Sequence, residues 1–198
     1  MSRGVLILAA GAASRMNRAK MLMAFGSTSI LTHIVDEVKA TKPDSICLVT
    51  GYYHKEIIES IETTGIYIVY NEYWGEGMAS SISKGMLEMV KKYPALSSVM
   101  IVVSDQPHLN RKVMDEMVTA QTQTNKGIVA AQYGKITGTP VLFTKKYFNL
   151  LMALTGDIGA KPILQQHKTD LATVEFTLGA IDIDTPEDYE KLSGKTNK

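Results

Sequence analysis

Short apolar runs alternate with segments of helical periodicity along most of this chain. Seven runs of four to six residues are rich in Val, Ile, Leu and Ala and are bounded by polar or turn-forming residues, which is typical of buried β-strands. The predicted strands are residues 5–10, 46–50, 66–70, 99–104, 128–132, 140–143 and 174–177.

Between these runs, apolar residues recur at the spacing of one helix face. The pattern predicts helices over residues 30–38, 78–90 and 113–120, each with one apolar face. A last helix is predicted after Thr185, which would be its N-cap, with Pro186 at the first helical position. Strands that alternate with helices indicate an α/β fold in which crossover helices connect buried parallel strands.

The composition favours one globular domain with a core of its own. The 198 residues are 45% hydrophobic and 21% charged, and no linker or repeat interrupts the pattern. We therefore expect a single domain over residues 1–192, followed by a frayed tail at 193–198. The formal net charge is only +1, so no basic field is available to bind nucleic acid.

Cysteine content and hydropathy indicate the compartment. Cys47 is the single cysteine and lies in an apolar run, so we interpret it as a core residue in a protein from a reducing compartment. The apolar run at 5–10 is too short for a secretory signal, and no run approaches the roughly 20 residues of a membrane span. The expectation is a cytoplasmic protein without a membrane partner.

Ligands of parallel α/β sheets bind beyond the carboxyl ends of the strands, so the residues that follow each apolar run are the first candidates for function. Four such segments contain glycine, polar residues or charge: 11–20, 50–51, 71–81 and 104–107.

The segment after the first strand has the composition of a phosphate-binding loop. Gly11 and the small residues behind it would let a ligand approach the backbone, and Arg15 and Lys20 could neutralise phosphates. The segment lacks the Gly-x-Gly-x-x-Gly dinucleotide motif. Residues 193–196 resemble the end of a Walker motif, but Tyr189 stands where that motif requires glycine. A tight turn with solvated cations explains the loop equally well at this point.

The acidic candidates also have two interpretations. Asp105 could hold magnesium at the end of a strand, or it could cap the following helix. Asp182 and Asp184 form a second acidic pair before the terminal helix, where they would also complement its dipole. The four histidines lack zinc-ligand spacing, and no Ser/His/Asp arrangement supports a hydrolase.

Six ordered motifs carry a family resemblance. They are Leu8-Ala9-Ala10-Gly11 with Arg15 and Lys20, Asn71-x-x-Trp74-x-x-Gly77 with Ser80-Ser81, Asp105-Gln106-Pro107, Gly138-x-Pro140, Gly156-Asp157-x-Gly159-Ala160, and Asp182-Ile183-Asp184-Thr185-Pro186. With these motifs the chain resembles the MobA-like nucleotidyltransferases over roughly residues 4–192, and within them the molybdenum cofactor cytidylyltransferase (MocA-like) branch. Alanine at position 10 is similar to the cytidylyl branch, whereas guanylyl-transferring relatives usually have glycine there.

The resemblance implies a fold and a set of site residues. The fold would be a three-layer α/β/α sandwich, Rossmann-like, with a mostly parallel central sheet. The catalytic residues would be Arg15, Lys20 and Asp105, and the metal ligands of Mg²⁺ would be Asp105 and Asp184. Nucleotide binding would fall to Leu8, Ala9, Ala10, Gly11, Ala12, Arg15, Lys20, Gly51, Gly77, Ser80 and Ser81. Acceptor binding would fall to Asn71, Trp74, Asp157 and Gly159.

The implied reaction is the magnesium-dependent transfer of a cytidylyl group from CTP to the phosphate of molybdenum cofactor, with release of pyrophosphate. The implied partners are the two small-molecule substrates and, transiently, a molybdoenzyme or its chaperone. Two alternatives stay open: a nucleotidyltransferase for a sugar phosphate or another small phosphorylated acceptor, and a noncatalytic protein that delivers the cofactor.

The chain departs from the family pattern at four positions. It has Ala13 where the family usually has Ser, Asn17 and Ser104 where it has Gly, and Lys161 where it has Arg. Asn tolerates the left-handed backbone that glycine supplies, so the change at 17 preserves the turn. The change at 13 removes a hydroxyl donor from the loop. These departures bear on substrate identity more than on the fold.

Overall fold

In a computed structural model of the chain, the described residues are 2–12, 19–181 and 189. Within them lie nine strands and six α-helices. The strands are β1 Ser2–Ala9, β2 Ala24–Phe25, β3 Thr28–Ser29, β4 Ser45–Thr50, β5 Ile66–Tyr70, β6 Leu96–Val103, β7 Ile128–Tyr133, β8 Ile136–Thr144 and β9 Leu171–Glu175. The helices are α1 Ile30–Ala40, α2 His54–Ser60, α3 Met78–Lys92, α4 Arg111–Thr124, α5 Phe148–Met152 and α6 Lys161–Gln166.

Seven strands form one central sheet in the order β5-β4-β1-β6-β8-β7-β9. All neighbours pair in parallel except those of β8, which runs antiparallel to both β6 and β7. The predicted α/β fold with a mostly parallel sheet is confirmed. Each of the seven predicted strands is present, although the last begins and ends earlier in the chain than its apolar run suggested.

The predicted strand at 140–143 belongs to β8, the antiparallel strand of this mostly parallel sheet. The reason is the connection: only Gly134 and Lys135 separate β7 from β8. A two-residue connection can join only antiparallel neighbours, whereas a parallel pair needs a long crossover. Gly134 takes a positive φ of 63° in this turn.

Two apolar layers cover the sheet, one on each face. Successive residues of β1 point to opposite sides, so Val5 and Ile7 lie in one layer and Leu6 and Leu8 in the other. Helices α1, α2 and α4 contribute buried residues to the first layer, and α3, α5 and α6 contribute to the second. The arrangement is therefore the expected three-layer sandwich, with the most buried strands at its centre.

Side-chain caps explain where two helices begin. The Ser29 hydroxyl accepts a hydrogen bond from the Thr32 N–H at 3.1 Å at the start of α1, and Asn110 Oδ1 accepts one from the Val113 N–H at 3.1 Å at the start of α4. The helix predicted after Thr185 and the tail at 193–198 lie outside the described residues. Within the part of the chain that is described, none of the helices is long and apolar enough to cross a membrane.

Candidate active site

The four candidate segments meet at one edge of the sheet. They follow β5, β4, β1 and β6, which are adjacent parallel strands, so their carboxyl ends lie side by side. Main-chain hydrogen bonds then connect each segment to its neighbour: Tyr52 N–H to Ala10 O at 3.1 Å, Asn71 N–H to Thr50 O at 2.8 Å, and Ser104 N–H to Leu8 O at 3.0 Å. The segments form a continuous floor.

Lys20 and Asp105 are in contact at the centre of this edge. The Lys20 Nζ lies 2.8 Å from Asp105 Oδ2, and their side chains are 15% and 28% exposed. Lys20 is the first residue of a short 3₁₀ helix, and the next residue, Met21, is buried in the core. The buried Met21 fixes the position of the Lys20 backbone. Asp105 is the second residue after β6, which ends at Val103. Lys20 thus brings the end of the loop after β1 into contact with Asp105.

The residues that end β1 offer main chain to the site. The side chains of Leu8, Ala9 and Ala10 are buried, whereas Gly11 is exposed and Ala12 is half-buried. A ligand can therefore reach this segment mainly through the backbone beyond Ala10. Arg15, the second expected cation of the loop, lies outside the described residues.

Gly51 marks a close approach between three segments. A Cβ atom at Gly51 would lie 2.5 Å from the Ala10 carbonyl oxygen and 2.7 Å from the Trp74 Cβ, distances that real side chains do not tolerate. Only glycine lets the segments after β1, β4 and β5 come together here. Beside it, the Thr50 hydroxyl lies 2.7 Å from His54 Nδ1, which connects the end of β4 to α2.

Asn71 is the polar centre of the segment after β5. It is 1% exposed, and its Nδ2 donates to Ser80 Oγ at 2.9 Å and to Ser81 Oγ at 3.0 Å. Its Oδ1 accepts from the Tyr73 N–H at 3.0 Å. Asn71 thereby holds the turn that contains Trp74 against the first turn of α3. Ser81 is itself buried, whereas Ser80 is half-buried.

The loop at 156–160 packs against the start of α3. A Cβ atom at Gly77 would lie 2.6 Å from Asp157 Oδ1, and one at Gly159 would lie 2.8 Å from the Met78 Sδ. Both glycines have positive φ, 99° and 58°, which favours glycine at these positions. The structure therefore brings the expected acceptor residues Asp157 and Gly159 next to the expected nucleotide residue Gly77.

Asp105 is the expected metal ligand that lies within the described residues. Mg²⁺ is commonly held by one or two carboxylates together with substrate phosphates and water, and a partly exposed carboxylate at the end of a strand suits that role. Asp182 and Asp184 lie outside the described residues. Among the residues that are described, no group of three or more His, Cys, Asp or Glu side chains could form a metal cage.

Two features of the site had little or no signal in the sequence. The side chain of Gln106 is buried, and its Nε2 donates to Gly179 O at 2.9 Å, which connects the turn after β6 to the segment after β9. The ring of Tyr52 meets that of Trp74 edge to face, with centroids 5.1 Å apart. The signal for Tyr52 was its place directly after the strand-end glycine, but aromatic residues occur in many loops.

Comparison with known families gives one match over most of the chain. Residues 5–171 match the MobA-like NTP transferase domain. The matched range contains β1 through the start of β9, and therefore Lys20, Asp105 and the segments that surround them.

One curated relative is much longer than this chain and shares a modest identity with it. The bifunctional protein GlmU of Francisella tularensis subsp. novicida (strain U112) is 28% identical over 134 residues, which are 66% of this chain but 28% of that protein. The chain thus spans less than a third of the length of the curated relatives that it matches.

Solved structures share the whole fold. An Rv0371c homologue from Mycobacterium sp. strain JC1 has a TM-score of 0.85 at 22% identity, with 98% of this chain and 96% of that chain covered. The manganese complex of Rv0371c from Mycobacterium tuberculosis H37Rv has a TM-score of 0.76 at 19% identity, with 96% and 97% covered. At these identities the likeness establishes the fold.

Proposed function

This chain belongs to the MobA-like NTP transferase family, a family of nucleotidyltransferases, and we propose that it transfers the cytidylyl group of CTP to the phosphate of molybdenum cofactor. The contact between Lys20 and Asp105 carries the proposal, because a cation and a carboxylate at one point are what a polyphosphate and its divalent ion require.

The choice of CTP rests on the residue that follows β1. Alanine at position 10 is similar to the cytidylyl branch, and the buried Ala10 leaves only backbone facing the ligand at this point. The pocket for the nucleotide would be completed by the other floor and rim residues, Gly11, Ala12, Gly51, Gly77, Ser80 and Ser81, with Arg15 as a further cation.

Asp105 would hold the divalent metal, with Asp184, which lies outside the described residues, as the second ligand. Magnesium bound there supplies charge neutralisation between the phosphates. The solved structure with the same fold that contains manganese supports a divalent ion in this fold. Magnesium and manganese share a preference for oxygen ligands, so the same donor set would accept either ion.

The reaction needs no covalent enzyme intermediate. An oxygen of the acceptor's terminal phosphate attacks the α-phosphorus of CTP, the bond from that phosphorus to the bridging oxygen breaks, and pyrophosphate leaves with the bonding electrons. Lys20 is placed to neutralise the charge that grows on the leaving oxygens, and the backbone beyond Ala10 orients the phosphates. The protein thus contributes position and charge.

The acceptor would lie along the segment after β5 and the loop at 156–160. Asn71 and Trp74 belong to the first, and Asp157 and Gly159 to the second. The contact of Asp157 with Gly77 supports this placement, because it puts the acceptor loop beside the nucleotide pocket. The product would then pass from this open edge to a molybdoenzyme or its chaperone.

Pyrophosphate release tests the proposal directly. The full chain is assayed with each of the four ribonucleoside triphosphates, with magnesium or manganese, and with molybdenum cofactor, a set of sugar phosphates or no acceptor. We expect release that requires a divalent ion and molybdenum cofactor, with CTP preferred. Turnover with a sugar phosphate alone would overturn the acceptor, turnover with another nucleotide alone would overturn the donor, and nucleotide binding without any turnover would favour a delivery protein.

A further inference from the structure

Two aromatic rings stand beyond the carboxyl ends of β4 and β5: Tyr52 is exposed and Trp74 is half-buried. Tyr52 is 55% exposed, and its ring packs edge to face on Trp74 with centroids 5.1 Å apart and planes at 81°. The ring of Tyr53 also packs on Tyr52, with centroids 4.7 Å apart and planes at 78°. Tyr and Trp are enriched at interfaces, so a cluster of aromatic rings that solvent can reach is a candidate binding surface.

The rings are fixed to the floor of the site. The Tyr52 N–H donates to the Ala10 carbonyl, and the Cβ of Trp74 lies against Gly51. Asn71 further holds the turn that contains Trp74 against α3. Because the backbone on both sides is held, the pair of rings costs little conformational entropy to present to a ligand.

The position of the rings relative to Asp105 sets the size of the ligand. Tyr52 follows β4 and Asp105 follows β6, with β1 between the two strands. Two strand spacings separate them by about 10 Å at this edge. That is a distance which the ribose of one nucleotide can bridge when its phosphates are at Lys20 and Asp105.

We propose that Tyr52 and Trp74 form a stacking wall for a flat heteroaromatic ring, in which Tyr52 supplies the stacking face and Trp74 stands nearly perpendicular to it, and that this ring is the base of the donor nucleotide. Trp74, which was expected on the acceptor side, would then lie at the boundary between donor and acceptor. The identity of the ligand rests on the proposed function. The pterin ring of the acceptor has the same flat heteroaromatic chemistry, and the KM for the acceptor distinguishes it from the base. Stacking on an aromatic side chain is worth about 5- to 150-fold in affinity, and it accepts any base.

Trp74 is the single tryptophan of the chain, so its fluorescence reports directly on the wall. The full chain is titrated with CTP and, in parallel, with inorganic tripolyphosphate, which has the phosphates but no ring. We expect a saturable change in tryptophan emission with CTP and none with tripolyphosphate. An equal change with both would show that Trp74 responds to phosphate alone, and this would overturn the proposal.

Variants of Tyr52 separate stacking from other contacts. Tyr52→Ala should weaken the binding of CTP by about 5- to 150-fold, whereas Tyr52→Phe keeps the ring and should bind as the wild type does. Leu87→Ala is the matched control, because Leu87 is 50% exposed on α3 and also loses a large apolar side chain. Thermal unfolding of each variant checks that the fold is unchanged.

The KM for the acceptor, measured with the same variant, shows whether the donor or the acceptor supplies the ring. If Tyr52→Ala leaves CTP binding unchanged but raises the KM for the acceptor by the same factor, the wall exists but holds the acceptor ring. If Tyr52→Ala changes neither, the wall binds no ring and the proposal is wrong. CTP binding is measured without an acceptor, so it is informative even if no acceptor is turned over, and a failed transfer assay would count against the proposed function only.

Discussion

Lys20 Nζ lies 2.8 Å from Asp105 Oδ2 although 85 positions separate the two residues in the chain. The pair connects the loop after β1 to the end of β6, the two places where the sequence had indicated a phosphate loop and a metal ligand. Both side chains are only partly exposed, so each charge acts in a setting less screened than open solvent.

Asp105→Asn should reduce the rate of pyrophosphate release by about 10² to 10³, because a neutral amide holds a divalent ion poorly and no longer offsets the charge of Lys20. The size of the side chain is unchanged, so the unfolding temperature should stay near that of the wild type. Asp115→Asn, at an exposed position of α4, is the matched control. Wild-type turnover by the Asp105 variant under magnesium would contradict the assigned role.

Lys20→Met should lower turnover by a similar factor of about 10² to 10³, since it removes the cation that faces the phosphates and leaves the apolar stem. Lys20→Arg should recover part of the rate, because it restores charge but not the compact ammonium geometry. Steady-state kinetics with CTP as the varied substrate measure both. Equal rates for the methionine and arginine variants would show that charge at this position is immaterial.

Gly51→Ala should lower the free energy of unfolding by about 1 to 3 kcal/mol, because the new methyl group would overlap the Ala10 carbonyl and Trp74. Gly11→Ala is the matched control: a Cβ atom there meets nothing within 4 Å, so stability should be unchanged. Urea unfolding of the two variants is the measurement. If both variants lose the same free energy of unfolding, the close approach at Gly51 is not the reason that alanine destabilises the chain there.

Asp170 should make the free energy of unfolding depend on pH in the acidic range. Hydrogen bonds from Lys146, Tyr147 and the Gly127 N–H stabilise its carboxylate and hold its pKa well below the ordinary value of about 3.9. A lowered folded pKa contributes stability in full above the unfolded pKa, and the contribution is lost as the pH falls toward the folded value.

Asp170→Asn should therefore cost about 1 to 3 kcal/mol at neutral pH and progressively less as the pH falls from about 4 toward the lowered pKa of the folded state. Unfolding of wild type and variant over a series of pH values gives the difference. A difference that is constant across the series would show that the carboxylate is not stabilised in the folded state.

Cys47 should be inert in the folded protein. Burial, and secondarily the charge of Glu88, raise the pKa of its thiol to about 12, so the reactive thiolate is absent at neutral pH. A thiol-specific reagent should label the native chain no faster than it unfolds, and should label one thiol per chain in denaturant. Fast labelling of native protein would show that the side chain is accessible.

Much of the architecture could be predicted from local pattern. The seven sheet strands and helices α1, α3 and α4 follow from the period of apolar residues, because that period reports which side of an element is buried. The small hairpin of β2 and β3 and the short helices α2, α5 and α6 were not predicted, since so few residues establish no period. The order of the motifs was enough to indicate the family.

Asp105 and Lys20 could be chosen as candidates from the sequence because each follows an apolar run, and strand ends of parallel sheets carry ligand sites. Their contact, the direction of β8, the approach of Trp74 to Gly51 and the exposure of Tyr52 were decided only by the tertiary structure. The physical reason is that local periodicity encodes burial but not partners. Which strands become neighbours, and which strand-end side chains therefore meet, is set by packing between residues far apart in the chain.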